Sequence, residues 1–338
     1  MTRIGIVPRV HGVGGMVSFR DKLTAGLQAR GIEACEDPAD GYCDALLVIS
    51  GTRDLGQLRR ARKRGVRVVQ RLDGINWLHR VHRTNLRLFI RSEAANLLLT
   101  FIRRVYADRV VYQSEFIRGW WESWYGQSGV PKRVILNAVD LQRYSPVGPG
   151  GRPNDLIRIM VVEGSLTHGQ EVGLYWAVEL AEALRSQQPL PVELIVAAEV
   201  AESQKEYWRT HSRVMVHFLG VVPRERIPEL NRSAHIYFSA EINPPCPNSV
   251  IEALACGLPV IGFETGSLSE LVTPDAGKVV PYGGNPWKLE TPDIPGLAAA
   301  AGQVLSELPR YQAGARARAE QTFGLDAMVD KYLEVLLG

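Results

Sequence analysis

The sequence predicts an α/β protein with two Rossmann-like, doubly wound domains that face a central cleft. The chain has 338 residues, of which 46% are hydrophobic, and this length suits roughly two domains of about 150 residues each. Short β-branched segments alternate with longer helical patterns in both halves of the chain. A segment rich in Pro and Gly, residues 145–155 (SPVGPGGRPND), separates the two halves.

Each half contains a series of short apolar runs, which is typical of parallel strands covered by helices on both faces. These runs lie at residues 3–7, 45–50, 66–70, 109–112, 133–136, 157–162, 192–198, 214–219, 234–239, 259–262 and 278–280. We therefore expect an N-terminal domain at residues 1–148 and a second domain at 149–315. Helical periodicity near the C-terminus predicts a last helical segment at 316–338.

Composition excludes several classes of protein. No apolar run approaches the roughly 20 residues of a membrane span, and the first ten residues lack the regions of a signal peptide, so we expect a cytoplasmic protein. The four cysteines form no CxxC pair, which argues against a zinc site or a disulfide framework.

The two halves differ in charge. Residues 1–150 hold 24 Lys and Arg against 13 Asp and Glu, whereas residues 151–338 hold 15 against 23. The basic half suits an anionic acceptor or peripheral contact with a phospholipid surface. A solvated basic face is the alternative, and we do not expect nucleic acid as a partner.

A glycine-rich turn, HGVGGMVSF (residues 11–19), follows the first predicted strand. Gly12, Gly14 and Gly15 leave backbone amides accessible at the start of a helix near Met16, where phosphate or sugar oxygens bind well. The turn lacks the GxGxxG spacing and a Walker lysine, and a simple tight turn is the alternative.

The segment NPPCPNSVIEALACGLPVIGFETGSLSELV (residues 243–272) carries the strongest signal. Its three early prolines prevent a helix until Asn248, which we expect to cap a helix that starts near Ser249. The free amides there suit a diphosphate. Glu252 lies about one turn into this helix and can reach a ribose hydroxyl, and Gly257 is expected to end the helix.

EALACGLPVIG (residues 252–262) resembles the signature of glycosyltransferase family 4 (group 1), whose members have the GT-B fold. Four further segments extend the resemblance over almost the whole chain: VVYQSEF (110–116), VILNAVDLQRYSP (134–146), FLGVVPRERIPEL (218–230) and FGLDAMVDKYLEVL (323–336). The resemblance implies transfer of a hexose-type sugar, with retention, from a UDP or GDP donor to a hydroxyl of a glycan or lipid-linked acceptor. It also implies that the last helix crosses back onto an acceptor-binding N-terminal domain.

The resemblance also implies roles for residues. Glu252 should bind the donor ribose, the amides of Asn248 and Ser249 the diphosphate, and the backbone near Val221 and Val222 the base. The whole expected donor-binding set is Gly14, Gly15, Gly164, Ser165, Val221, Val222, Asn248, Ser249 and Glu252.

The sequence departs from the family pattern at the charged positions. Pro244 stands where relatives carry a first Glu, and Ser165 and His168 occupy the approximate positions of an Arg and a Lys. These cations stabilise the leaving diphosphate, a contribution of up to several kcal/mol. We expect His168, or an arginine of the basic half, to substitute; the alternative for His168 is an ordinary surface position.

RLDGINW (residues 71–77) follows a predicted strand at the cleft, where relatives place a His or Asp beside the acceptor. Asp73 is expected to orient an acceptor hydroxyl, Arg71 to contact an anion, and Ser114 to complete the acceptor site. A salt bridge with a β-turn is the alternative for Arg71 and Asp73. The predicted catalytic residues are Asp73, His168 and Glu252.

Two apolar segments of the basic half have alternative readings. WWESWY (residues 120–125) suits sugar stacking, a membrane interface or packing beneath the sheet. Residues 85–106 predict an amphipathic helix with arginines on its polar side, which suits core packing or membrane docking.

Retaining transfer of this type needs little side-chain chemistry, because the leaving diphosphate can accept the acceptor proton. The sequence shows no convincing carboxylate pair of a retaining glycosidase and no DxD motif, so we expect no cofactor and no essential metal ion. A nucleotide-sugar-binding protein with weak or no transfer activity is the main alternative. An NAD-dependent oxidoreductase is the third, but the chain lacks its fingerprint.

Overall fold

A computed structural model describes residues 1–12, 14–36, 42–82, 85–167 and 169–338. The chain forms two units: Met1–Ala138 together with Leu325–Gly338, and Val139–Gly324. The boundary lies at Ala138, whereas the sequence predicts it at residue 148.

Within the described residues, the first unit contains a six-stranded parallel sheet in the order β2-β1-β3-β4-β5-β6. Its strands are β1 (Arg3–Val7), β2 (Glu33–Cys35), β3 (Ala45–Ile49), β4 (Arg67–Leu72), β5 (Arg109–Tyr112) and β6 (Lys132–Val134). Its helices are α1 (Gly15–Gln28), α2 (Leu55–Lys63), α3 (Leu86–Val105), α4 (Glu115–Tyr125) and the C-terminal α12 (Leu325–Leu337). A 3-10 turn occupies Leu78–Arg80.

The first sheet is buried on both faces. Every residue of β3 is buried, and its alternate side chains enter different clusters. Leu47 packs with Val329 of α12, whereas Leu46 packs with Ile102 of α3. The continuous apolar run ALLVI therefore reflects helices on both faces of a parallel sheet.

The described part of the second unit contains another six-stranded parallel sheet, in the order β12-β11-β10-β7-β8-β9. Its strands are β7 (Ile157–Ser165), β8 (Val192–Glu199), β9 (Met215–Phe218), β10 (Ile236–Phe238), β11 (Val260–Phe263) and β12 (Gly277–Val280). Its helices are α5 (Glu171–Gln187), α6 (Glu202–His211), α7 (Ile227–Arg232), α8 (Asn248–Ala255), α9 (Leu268–Leu271), α10 (Ile294–Ser306) and α11 (Leu308–Thr322). A 3-10 turn occupies Pro286–Lys288.

The segment rich in Pro and Gly is attached to the second unit by two arginines. Arg232 of α7 donates to the carbonyl oxygens of Ser145 at 3.0 Å and Pro149 at 2.6 Å. Arg152 donates to the carbonyl oxygen of Ala234 at 2.7 Å. These bonds explain why the predicted linker lies inside the second unit.

The C-terminal segment divides between the two units. The predicted stretch 316–338 begins inside α11, which belongs to the second unit, and continues as α12, which belongs to the first. The two helices are interrupted at Phe323, whose carbonyl oxygen accepts from the amide of Val139 at 2.8 Å.

In each sheet the first strand along the chain lies in the interior. β1 lies between β2 and β3, and β7 lies between β8 and β10, so the direction of winding reverses beside β1 and beside β7. In open α/β sheets, ligands bind outside the carboxyl ends of the strands at such a reversal. The topology therefore predicts ligand binding at the loops that follow β1, β7 and β10.

Candidate active site

The glycine turn of the first unit presents backbone rather than side chains. α1 begins at Gly15, and Gly14 precedes it with φ −71° and ψ 175°. A Cβ added at Gly14 would meet no described atom within 4 Å. The start of α1 therefore faces open space at the carboxyl end of β1, which suits binding of an anion or a sugar oxygen. Val13 lies outside the described residues.

Asp73 follows β4 and is held from two sides. Its Oδ1 accepts from Nη1 of Arg71 at 2.9 Å, and its backbone carbonyl accepts from Nε1 of Trp121 at 2.7 Å. The side chain keeps 22% of its surface exposed. Partial burial raises the pKa of Asp73, while the Arg71 guanidinium and a hydrogen bond with Gln113 act in the opposite direction.

Arg71 and Ser114, the other expected acceptor contacts, are buried. Arg71 is 1% exposed, donates to Oδ1 of Asn137 at 2.8 Å and stacks its guanidinium 3.8 Å from the ring centroid of Phe19. Ser114 is fully buried and caps α4, because its Oγ accepts from the amide of Ile117 at 3.2 Å. Neither side chain is presented to a ligand, and Arg71 instead orients Asp73.

In the second unit, α8 begins one residue earlier than expected. Asn248 is its first residue and not its cap; Pro247 precedes the helix in an extended conformation, with φ −67° and ψ 122°, and makes no side-chain cap bond. The proline segment holds the chain extended up to Pro247, so the first amides of the helix belong to Asn248 and Ser249. The helix ends before Gly257, which has φ +68°, as the glycine predicted.

Glu252 lies on α8 with 8% of its surface exposed. Its charge is among the causes, after burial, that raise the pKa values of Tyr237 and Tyr144. Tyr237 of β10 donates to the carbonyl oxygen of Val162 in β7 at 3.0 Å and also interacts with Ser249. Glu252 and Ser249 therefore lie beside the β7–β10 pair, where the winding reverses.

The remaining predicted donor contacts lie at the ends of β7 and β9. Gly164 and Ser165 end β7 at an irregularity in its pairing with β8, and no described atom lies within 4 Å of a Cβ added at Gly164. Ser165 shares a 2.7 Å hydrogen bond with Thr167. Val221 and Val222 follow β9, and Val221 is half exposed. His168 lies outside the described residues.

Two carboxylates missed by sequence reasoning also lie at the reversal. Glu163 is in β7, and Glu241 follows its neighbour β10. Burial and the charge of Glu241 raise the pKa of Glu163 well above its usual range, and burial raises the pKa of Glu241 to about 7. An acidic residue next to a buried apolar strand is the local signal that could have marked each of them.

Buried polar atoms without partners cluster around the same loops. Among the described residues, Oε1 of Glu163, Oγ of Ser239, Nδ2 of Asn243 and Oγ of Ser267 are buried and have no hydrogen-bond partner. Asn243 also has a left-handed backbone, with φ +53°. Buried polar groups are nearly always paired, so this concentration of free groups and strain is typical of a binding site.

No group of three or more His, Cys, Asp or Glu suited to hold a metal ion occurs in the described ranges.

Comparison with known proteins identifies the class. Residues 158–307 match the family model described as Glycosyl transferases group 1. No curated protein matches the chain. Among solved structures, the chain is similar to sucrose-phosphate synthase from Thermosynechococcus elongatus, with a TM-score of 0.74 and 15% identity over 99% of this chain and 98% of that chain.

Two further structures show the same fold. HepE from Anabaena in complex with UDP-glucose has a TM-score of 0.69 and 16% identity, with 99% of each chain covered. WaaG, a glycosyltransferase involved in lipopolysaccharide biosynthesis, has a TM-score of 0.67 and 15% identity over 99% of this chain and 100% of that chain.

The two parallel sheets and these similarities define a GT-B fold, which confirms the predicted fold class. The second unit carries a group 1 glycosyl transferase domain, and the protein is a glycosyltransferase. The resemblance to group 1 that the sequence motifs indicated is thereby confirmed.

Proposed function

We propose that the protein transfers a hexose-type sugar, with retention of configuration, from a nucleotide diphosphate donor to a hydroxyl acceptor. The observation that carries this proposal is the set of unpaired buried polar atoms at the β7–β10 reversal, next to the first amides of α8. The HepE structure with UDP-glucose favours UDP over GDP and glucose as the first sugar to test.

The donor-binding roles follow from the second unit's chemistry. The amides of Asn248 and Ser249 bind the diphosphate at the positive end of α8, and Glu252 accepts hydrogen bonds from the ribose hydroxyls. Val221 and Val222 contact the base. Gly164 and Ser165 border the sugar phosphate where β7 ends.

The proposed reaction relies on positioning and electrostatics. The bond between the anomeric carbon and the diphosphate oxygen breaks, and the acceptor oxygen bonds to that carbon on the same face. The released diphosphate oxygen takes the acceptor proton, so no side-chain nucleophile is needed. Asp73 orients the acceptor hydroxyl, and neither a cofactor nor a metal ion takes part.

We further propose that the first unit binds the acceptor, a glycan that is anionic or lipid-linked and is met at a membrane surface. The Lys and Arg excess of residues 1–150 supports this choice.

A second candidate is a nucleotide-sugar-binding protein with weak or no transfer activity. Pro244 replaces a carboxylate that relatives use, and its only polar backbone atom, the carbonyl oxygen, accepts from the amide of Ser267 at 2.9 Å. This position offers the donor sugar no acidic group.

Calorimetry with UDP, GDP and NAD, followed by a UDP-release assay with UDP-glucose and chelator, tests these proposals. Glu252→Gln should weaken UDP binding by about tenfold or more, since it removes a charged hydrogen-bond acceptor. Glu206→Gln, on exposed α6, is the matched control. Binding without turnover of any donor supports the second candidate, and equal dissociation constants for wild type and Glu252→Gln contradict the ribose role.

A further inference from the structure

Helix α3 turns an apolar stripe toward solvent. The stripe consists of four large residues: Leu86 (73% exposed), Ile90 (58%), Leu97 (60%) and Phe101 (44%). At 3.6 residues per turn these positions lie within about 60° of one another around the helix axis. The opposite side of α3 packs into the unit through buried Leu99 and Ile102.

An ordinary surface helix has its apolar side toward the core and polar residues toward solvent, whereas α3 carries large apolar residues on both sides. All six residues from 86 to 91 are exposed, and they include Leu88 and Phe89. A contiguous apolar surface of this kind marks a site of interaction.

Basic side chains border the stripe. Arg87 and Arg91 are exposed and form no ion pair with any described residue, and Arg104 lies in line with the stripe one turn beyond Phe101. Glu93 is the only acidic residue of α3, and Arg80 neutralises it through bonds of 2.6 and 2.8 Å. The solvent side of α3 is therefore apolar and cationic together.

An exposed tryptophan extends this surface. Trp124 of α4 is 37% exposed, and the Arg80 guanidinium that pairs with Glu93 lies 4.4 Å from its ring centroid. Tryptophan favours the headgroup level of membranes, where its ring is partly solvated.

We propose that α3, with Trp124 beside it, lies flat on an anionic phospholipid bilayer with its apolar stripe at the boundary between headgroups and acyl chains. Apolar burial and attraction of arginines to anionic lipid act together at such a helix. A twofold dimer through the same surface would bring the cationic borders of two copies into one interface, which disfavours a second copy as the occupant. None of the helices formed by the described residues is long and apolar enough to span a bilayer.

The membrane contact proposed above would thus lie on α3, and it does not depend on the transfer reaction. Co-sedimentation of the full chain with vesicles tests it, using phosphatidylcholine alone and phosphatidylcholine mixed with phosphatidylglycerol. The wild type should bind the mixed vesicles, and salt should weaken binding because it screens the arginines.

The apolar half of the surface is tested by the double variant Ile90→Glu with Leu97→Glu. Both side chains are already exposed, so the fold should be kept and vesicle affinity should fall by about tenfold or more. Leu190→Glu with Met215→Glu is the matched control, because these residues are exposed apolar positions of the second unit, 39% and 64% respectively. The control should bind vesicles like the wild type.

The basic half is tested by Arg87→Gln with Arg91→Gln. Each arginine near an anionic surface contributes roughly fivefold in affinity, so the pair should lose about 25-fold. Arg185→Gln with Lys331→Gln removes the same net charge at exposed positions away from α3, and it should have little effect.

Three outcomes would overturn the proposal. In the first, the wild type stays in solution with mixed vesicles. In the second, the α3 variants bind these vesicles as tightly as the wild type does. In the third, light scattering shows that the wild type is a dimer that does not bind vesicles, and the Ile90→Glu with Leu97→Glu variant is a monomer. UDP affinity of the same variants is measured by calorimetry. This measurement distinguishes a failure of the membrane proposal from a failure of the proposed donor site, because the α3 variants leave the donor site unchanged.

Discussion

Arg71 and Asp73 form an ion pair at the end of β4, with 2.9 Å between Nη1 of the arginine and Oδ1 of the aspartate. The arginine is 1% exposed and the aspartate 22%, so the pair joins the core of the first unit to its surface. Of the two readings that the sequence left open for these residues, the salt bridge is present. The acceptor role of Asp73 stays a prediction, and Arg71 is the residue that positions it.

Replacement of Arg71 by Leu should destabilise the first unit strongly. The change leaves the partly buried Asp73 without its charge partner and removes the hydrogen bond to Asn137, so we expect the free energy of unfolding to fall by about 3 kcal/mol. Urea denaturation of Arg71→Leu and of the exposed control Arg53→Leu measures the effect. Equal stabilities for the two variants would contradict the structural role of Arg71.

The Glu163–Glu241 pair should make stability depend on pH. The folded pKa of Glu241 is raised from 4.5 to about 7, so the folded protein holds this proton more tightly than the unfolded chain does. The stabilisation is complete below the ordinary pKa and is lost as the pH rises through about 7, with a total of up to about 3 kcal/mol.

Glu241→Gln should remove most of this loss, because the amide does not ionise. Unfolding free energies measured between about pH 5 and about pH 9 for the wild type, Glu241→Gln and the exposed control Glu206→Gln provide the comparison. A Glu241→Gln curve as steep as that of the wild type would show that Glu241 is not the source of the pH dependence.

Gly266 and Gly164 should respond differently to alanine. Gly266 has φ +59°, and a Cβ there would lie 2.3 Å from the nitrogen of Pro244 and 2.5 Å from the carbonyl carbon of Asn243. Gly266→Ala therefore combines backbone strain with a clash against the loop before α8, and should cost about 3 kcal/mol of stability.

Gly164→Ala is the matched change at a free position, since no described atom lies within 4 Å of the added Cβ. Its stability should stay within about 0.5 kcal/mol of the wild type, while donor affinity falls because the methyl group enters the predicted sugar-phosphate contact. Thermal unfolding and UDP titration measure the two effects. If Gly164→Ala is destabilised but keeps its UDP affinity, Gly164 serves packing and not donor binding.

The sequence predicted the sheets well because buried parallel strands leave a local signal. Eleven of the twelve observed strands overlap a predicted apolar run; the exception is β2. That strand has only three residues, Glu33–Cys35, none of them buried, so no apolar run marks it. The proline segment likewise marked the start of α8 to within one residue, because proline acts on its own backbone.

The features that sequence reasoning missed depend on long-range packing. Glu163 and Glu241 are neighbours only because β10 pairs with β7, and the register Tyr237↔Met160 that joins them is set by the order of the whole sheet. The burial of Arg71 similarly depends on Phe19 of α1 and Asn137, which are distant in sequence. No local pattern contains these contacts.

Asn243 should show a trade-off between stability and donor binding. Its left-handed backbone, with φ +53°, costs free energy in any residue with a side chain, and its buried Nδ2 has no partner among the described residues. Asn243→Gly relieves the strain and removes the unpaired donor, so the free energy of unfolding should rise by about 1 kcal/mol. The same change should weaken UDP binding by about tenfold, because an amide donor to the diphosphate or sugar is lost.

Asn243→Ala separates the two effects, since it keeps the strain but lacks the amide. It should bind UDP as weakly as Asn243→Gly and be the less stable of the two. Urea denaturation and calorimetry on both variants test this, and wild-type UDP affinity in Asn243→Gly would mean that the amide serves the loop and not the ligand.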